Sequence, residues 1–146
     1  MDRKQILEVR QDLEALAIEF WNDVDFNGGR NAHTYYVEDA VFTTSVRTIH
    51  GREAIQAFYA ARQARGARTS VHLVQNFCVR ASSTREVGVR YIMTLHAADG
   101  EGVLPSKPAI MIAEVCETAL RQADGSWLYT ARTIKALFRD DTPTTG

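Results

Sequence analysis

The stretch TSVHLVQN, residues 69–76, sets a single imidazole, His72, among apolar neighbours. A neutral imidazole with a pKa of about 6.5 is well matched to act as a general base near neutral pH. The same placement equally suits a core histidine satisfied by hydrogen bonds. Asn76 follows four residues later, on the same strand face by simple alternation, with Cys78 beyond it. From there Asn76 can donate to a substrate carbonyl or satisfy a backbone group.

Three further charged residues fall in apolar stretches. Arg90 alternates with Gly88 and Ile92, Glu114 with Ile112 and Cys116, and Arg132 with Thr130 and Ile134. Antiparallel pairing can bring the three onto one face, where an arginine would stabilise a carboxylate, phenolate or enolate. They can also simply neutralise one another. Trp21, Tyr36, Phe42 and Tyr59 are candidates to line a pocket for an aromatic molecule, or plain core, and Tyr36 or Tyr59 can supply a hydroxyl as an acid. Asp25 precedes Asn27-Gly28-Gly29, a natural place for a helix-end carboxylate. The four histidines lack HxH or HExxH spacing, so no metal centre is expected. No glycine-rich phosphate loop and no G-x-S-x-G elbow is present.

These residues need elements to position them. Ile6, Val9, Leu13, Leu16, Ala17, Phe20 and Val24 repeat at helical spacing, with Asp2 and Gln5 to cap the start and Gly28-Gly29 to end it. NAHTYY reads as a short second helix, EDAVFTT as a strand, and HGREAIQAFYAARQARG as a third helix between Gly51 and Gly66. From Thr69 the period changes to two, which predicts strands at 69–81, 84–97, 108–122 and 126–138. Asp124-Gly125 marks a hairpin turn. Helices first and antiparallel strands after make an α+β fold.

With 146 residues, the chain suits one domain over 1–140, followed by a flexible polar tail at 141–146. A net charge of −1 with interspersed signs argues against nucleic acid. No apolar run reaches the roughly 18 residues of a membrane span, and a cytoplasmic protein is expected. Cys78 and Cys116 read as reduced, buried thiols. Apolar residues on both faces of the strand around Val87–Thr94 suggest a homodimer.

Four stretches in this order, FWNDVDFNGGR, YYVEDAVF before GREAI, TSVHLVQN, and RQADGSWLYTAR, resemble the nuclear transport factor 2-like superfamily in its SnoaL-like branch. The resemblance spans about residues 5–138 and implies a cone: a strongly curved antiparallel sheet wrapped around three N-terminal helices, with an apolar pocket between them. The superfamily includes scytalone dehydratase, polyketide cyclases, a dehydrochlorinase, steroid isomerases and noncatalytic subunits of ring-hydroxylating dioxygenases. Fold alone therefore leaves function open.

In the dehydratase and dehydrochlorinase members an aspartate near the end of the first helix supports a histidine opening the first long strand. Asp25 and His72 occupy those positions here. The resemblance thus implies that Asp25 fixes the tautomer of His72 and stabilises its imidazolium after proton abstraction. The scytalone pattern is otherwise replaced: Val24 stands for a tyrosine, Arg90 for a second histidine, Cys116 for an asparagine, and Thr44 for a second tyrosine. Scytalone itself is thereby disfavoured. The function expected is a cofactor-independent lyase or isomerase, dehydratase-type by first choice, acting on a small hydrophobic cyclic or aromatic molecule. The alternatives are a noncatalytic oxygenase subunit or a hydrophobic-ligand-binding module.

Overall fold

The computed structural model describes residues 1–144, apart from the side chains of residues 81 and 82. The helical periodicity near the N-terminus forms α1, Arg3–Asn27. Asp2 opens it with a capping box: its carboxylate accepts from the Gln5 N–H while the Gln5 side chain accepts from the Asp2 N–H. Gly28, at φ +64, closes it in the left-handed region that an L side chain adopts only at a cost. A single 3-10 turn, Ala32–Tyr35, replaces the expected second helix, because the chain enters β1 (Tyr36–Thr43) at once. The short β2 (Thr48–His50) and α2 (Arg52–Ala64) follow.

The long strands are β3 (Arg68–Ser82), β4 (Glu86–Asp99), β5 (Met111–Arg121) and β6 (Trp127–Arg139). β5 starts later than expected, after Pro105 and Pro108, which have no N–H to give to a ladder. The six strands form one curved open sheet in the order β2-β1-β6-β5-β4-β3. Strands β3 to β6 are antiparallel neighbours, as short turns require. β1 instead lies parallel to β6, a departure from the all-antiparallel expectation. β1 turns back in a hairpin to β2, and the chain then passes through α2 to β3, so no tight turn joins β1 to β6 or dictates their relative direction.

α1 covers the concave face. Leu13, Ala17, Phe20 and Trp21 are buried against a sheet layer that includes Tyr91, Met93, Val115 and Tyr129. Phe20 meets the rings of Trp21, Tyr36 and Tyr129 edge-on, with centroids 4.9, 5.8 and 6.2 Å away. Along β4 the alternation is clean: Val87, Val89, Tyr91, Met93 and Leu95 point in, while Arg90, Ile92 and Thr94 point out.

Two irregularities redirect side chains. β3 carries a bulge between Gln75 and Cys78, with Asn76 at φ +54. β6 slips against β5 near Thr130, which leaves Tyr129 and Arg132 both buried. An extra residue in a strand reverses the facing of everything beyond it.

The described part of the expected tail makes polar contacts. The Pro143 carbonyl accepts from Arg68 Nη2 at 2.7 Å, and the Thr142 N–H donates to Asp140 Oδ1 at 2.8 Å. Residues 145 and 146, the end of the expected tail, lie outside the described residues. Among the described residues no helix is long and apolar enough to cross a membrane.

Candidate active site

Asp25 stands in the last turn of α1, and its end is held by a second carboxylate. Asp23 accepts from Asn27 Nδ2 at 2.7 Å and from the Asn31 N–H at 3.0 Å, pinning the turn that follows the helix. A carboxylate near a helix C-terminus faces the negative end of the helix dipole, an unfavourable place unless donors surround it. Three donors do. Ser70 Oγ reaches Asp25 Oδ1 at 2.7 Å, the His72 N–H reaches Oδ2 at 2.7 Å, and His72 Nδ1 lies 2.6 Å from Oδ1.

The carboxylate is 2% exposed and the imidazole 10%. Bonds to Asp25 from both the backbone and the ring of His72 fix the imidazole with Nδ1 on the carboxylate and Nε2 without a hydrogen bond among the described residues. One face of the ring is covered by Trp21, stacked at 4.1 Å and 14°.

Two cavities meet at this imidazole. The larger, about 420 Å³, opens between the ends of α1 and α2 and the start of β3, and includes Asp25, Asn27, Arg30, Arg62, Arg68 and Ser70. The smaller, about 70 Å³, is largely apolar and includes Trp21, Phe42, Phe58, Met93, Met111 and Ile134. His72, Val24, Tyr59 and Leu95 line both.

Behind Trp21 lies a buried polar network. Trp21 Nε1 donates to the Tyr91 hydroxyl at 2.8 Å, which donates to Glu117 Oε1 at 2.7 Å. Arg132 Nε donates to the same oxygen at 2.8 Å, and Arg132 Nη1 to the Tyr36 hydroxyl at 2.8 Å. The guanidinium carbon sits 3.6 Å from the Phe20 ring centre. Burial alone would lower the pKa of Arg132, but Tyr36 and Glu117 hold it well above its ordinary value. The arginine is thus a structural cation with its charge neutralised in place.

The structure brings Asp25, His72, Trp21, Phe42 and Tyr59 to the cavities. It sends others elsewhere. Arg90 and Glu114 lie on the outer face of the sheet, where they form a half-exposed pair at 3.9 Å, away from Arg132. Arg132 is inward but enclosed, and Tyr36 is buried beneath it rather than on a cavity wall. Asn76 occupies the β3 bulge and is exposed, because the left-handed residue breaks the alternation that would align it with His72. The same reversal turns Cys78 outward, so Cys78 and Cys116 flank Arg90 in register instead of lying in the core.

Ser70 and Glu117 are the functional and structural polar residues that residue patterns alone passed over. Ser70 was legible as the residue two before His72, on its face. Glu117 was legible as a carboxylate alternating with Val115 and Ala119. Among the described residues no group of three His, Cys, Asp or Glu side chains is placed to hold a metal ion.

A curved sheet closed by an N-terminal helix, with a carboxylate-held imidazole where two cavities meet, defines a pocket-bearing cone of the nuclear transport factor 2-like superfamily. The chain belongs to the SnoaL-like domain family, whose model matches residues 6–133. Among solved structures it is similar to a scytalone dehydratase-like protein from Novosphingobium aromaticivorans, at 18% identity and a TM-score of 0.81, covering 99% of this chain and 93% of that one. An aromatic ring hydroxylase-like protein from the same organism aligns at 20% identity and a TM-score of 0.78, covering 90% and 91%. ActVI-ORFA from Streptomyces coelicolor aligns at 16% identity and 0.75, covering 89% and 98%. Likeness at these identities establishes the fold. No curated protein matches the sequence.

Proposed function

We propose that this protein is a cofactor-independent lyase or isomerase that moves a proton on a small cyclic or aromatic hydrophobic molecule. The observation that carries this reading is the 2.6 Å contact of Asp25 Oδ1 with His72 Nδ1 at the junction of two cavities. With Nδ1–H donated to the carboxylate, Nε2 presents its lone pair to a bound molecule as a general base. Asp25 then stabilises the imidazolium that forms, and the same imidazolium can return the proton to a leaving hydroxyl or to another carbon. Trp21, Phe42, Phe58 and Met93 favour an apolar ring beside the base. A homodimer is supported by the outward-facing Val71 and Leu73 on β3, 38% and 42% exposed.

The test uses proton abstraction itself. Incubated in D2O with 1-indanone and 2-tetralone, the wild-type protein should accelerate deuterium incorporation next to the carbonyl, read by proton NMR. The His72→Ala variant should lose about two to four orders of magnitude of that acceleration. Equal exchange by wild type and variant would remove the catalytic reading. It would favour a second one, a noncatalytic oxygenase subunit, to which the hydroxylase-like neighbour lends its fold.

A further inference from the structure

The larger cavity is not apolar, and its charge is unbalanced. Three guanidinium groups line it, from Arg30 after α1, Arg62 in the last turn of α2 and Arg68 at the start of β3. Among the described residues its carboxylates are Asp25, committed to Ser70 and His72, and Glu101. Arg62 donates to the Gly66 carbonyl at 3.2 Å and Arg30 to the Asn27 carbonyl at 3.0 Å, contacts that orient the groups without cancelling their charge. Among the described residues Arg68 alone of the three forms an ion pair, at 3.3 Å to Asp99, whose side chain is 86% exposed and heavily screened, and it also donates to the Pro143 carbonyl at 2.7 Å. Burial, then the neighbouring Arg68 and Arg65, lowers the pKa of Arg62 against a smaller opposing pull from Asp99, as expected where cations crowd together and outweigh the nearby anion.

This cationic cavity shares His72 and Tyr59 with the small apolar one. A molecule reaching Nε2 with an apolar part therefore has a guanidinium-lined space adjoining it. We propose that the substrate carries an anionic oxygen group, carboxylate or phosphate, which Arg30, Arg62 and Arg68 bind in the larger cavity while the apolar part lies against His72. Arginine suits that task because its planar fork of N–H donors matches the oxygens of either group. The inference rests on the proposed base only for where the substrate reacts; the anion site stands on its own residues.

The test is binding to the full chain by isothermal titration, with 4-phenylbutanoate, 3-phenylpropyl phosphate and the neutral 4-phenylbutan-1-ol as probes. One or both anions should bind about tenfold or more tightly than the alcohol, and the tighter anion identifies the group. The preference should shrink as salt is raised from low to high ionic strength. It should fall to about twofold or less in Arg62→Gln/Arg68→Gln with alcohol affinity unchanged. Arg30→Gln, at an exposed position, provides a second variant with a smaller loss should the double variant fold poorly by circular dichroism. Equal affinity for all three probes, no binding of any, or a preference untouched by these substitutions would overturn the proposal. A preference retained in His72→Ala, alongside failed deuterium exchange in the wild type, would leave the anion site standing and remove only the catalytic reading.

Discussion

The Trp21 indole lies flat on the His72 imidazole, centroids 4.1 Å apart and planes 14° from parallel, while its Nε1–H is tied to the Tyr91 hydroxyl at 2.8 Å. The imidazole is thus fixed from two directions: Asp25 sets its edge and Trp21 sets its face. A buried network anchored by Glu117 and Arg132 holds Trp21, so residues distant from the cavities determine how the imidazole is presented.

The tautomer of His72 is the first consequence. With Asp25 Oδ1 at 2.6 Å from Nδ1, the neutral ring should carry its proton on Nδ1. Nitrogen-15 NMR should show Nδ1 protonated and Nε2 bare, with a strongly downfield Nδ1–H proton. In Asp25→Asn that downfield signal should disappear. A ring found protonated on Nε2 in the wild type would rule out the base role proposed for that nitrogen.

The buried pair of Arg132 and Glu117 should be costly to break on one side. Arg132→Met leaves the carboxylate enclosed and unpaired, and should lower stability in urea denaturation by about 3–5 kcal/mol. Adding Glu117→Leu should recover much of the loss, because it removes the stranded charge. If the double variant is as unstable as the single, packing rather than charge pairing explains the damage.

Alkaline stability follows from the tyrosines. Burial raises the pKa of Tyr36, Tyr59, Tyr91 and Tyr129, well beyond the smaller rise at half-buried Tyr35. Above pH about 10 the unfolded chain ionises these phenols while the folded one keeps its protons, so the unfolded state binds fewer protons and stability falls as pH rises. Each of the four should contribute about 1.4 kcal/mol per pH unit in that range. Tyrosine absorbance should show Tyr35 titrating first and the other four only together with unfolding. Independent titration of all five in the folded protein would contradict this.

The two glycines after α1 should differ. A methyl group at Gly29, φ +71, would meet Tyr59 Cδ1 at 2.6 Å, whereas one at Gly28, φ +64, would meet the flexible amide end of Gln63. Both substitutions with alanine carry about 1–2 kcal/mol of left-handed backbone strain. Gly29→Ala should cost about 1 kcal/mol more, because a ring packed in the core cannot swing away as an amide can. Thermal denaturation of the two variants would measure the difference, and equal melting points would count against it.

Much of the architecture was legible from short-range pattern. Helical spacing from Ile6 to Val24, the Asp2 and Gln5 cap, the Gly28 stop and the change to period two at β3 are local preferences that the fold obeys, because each is decided by neighbours within a turn or a strand. His72 and Asp25 were legible as a pair only through family likeness, since 47 positions separate them and no local rule joins them. The parallel seating of β1 beside β6 was not legible, because nothing in a strand's own residues records which distant edge it will meet.

Facing was the other thing pattern could not supply. Alternation placed Arg90, Glu114 and Arg132 together and Asn76 with His72, and single bulges in β3 and β6 undid both groupings. A strand's side chains share one parity only while its ladder is unbroken, and where a bulge falls depends on how the sheet must bend around α1. The sequence by itself determined the long elements and their order, from α1 through α2 to the strands β3 to β6. The tertiary structure alone decided that Arg132 is sealed against Glu117 while Arg30, Arg62 and Arg68 converge on the cavity. Which charges meet is settled by contacts between residues far apart in the chain.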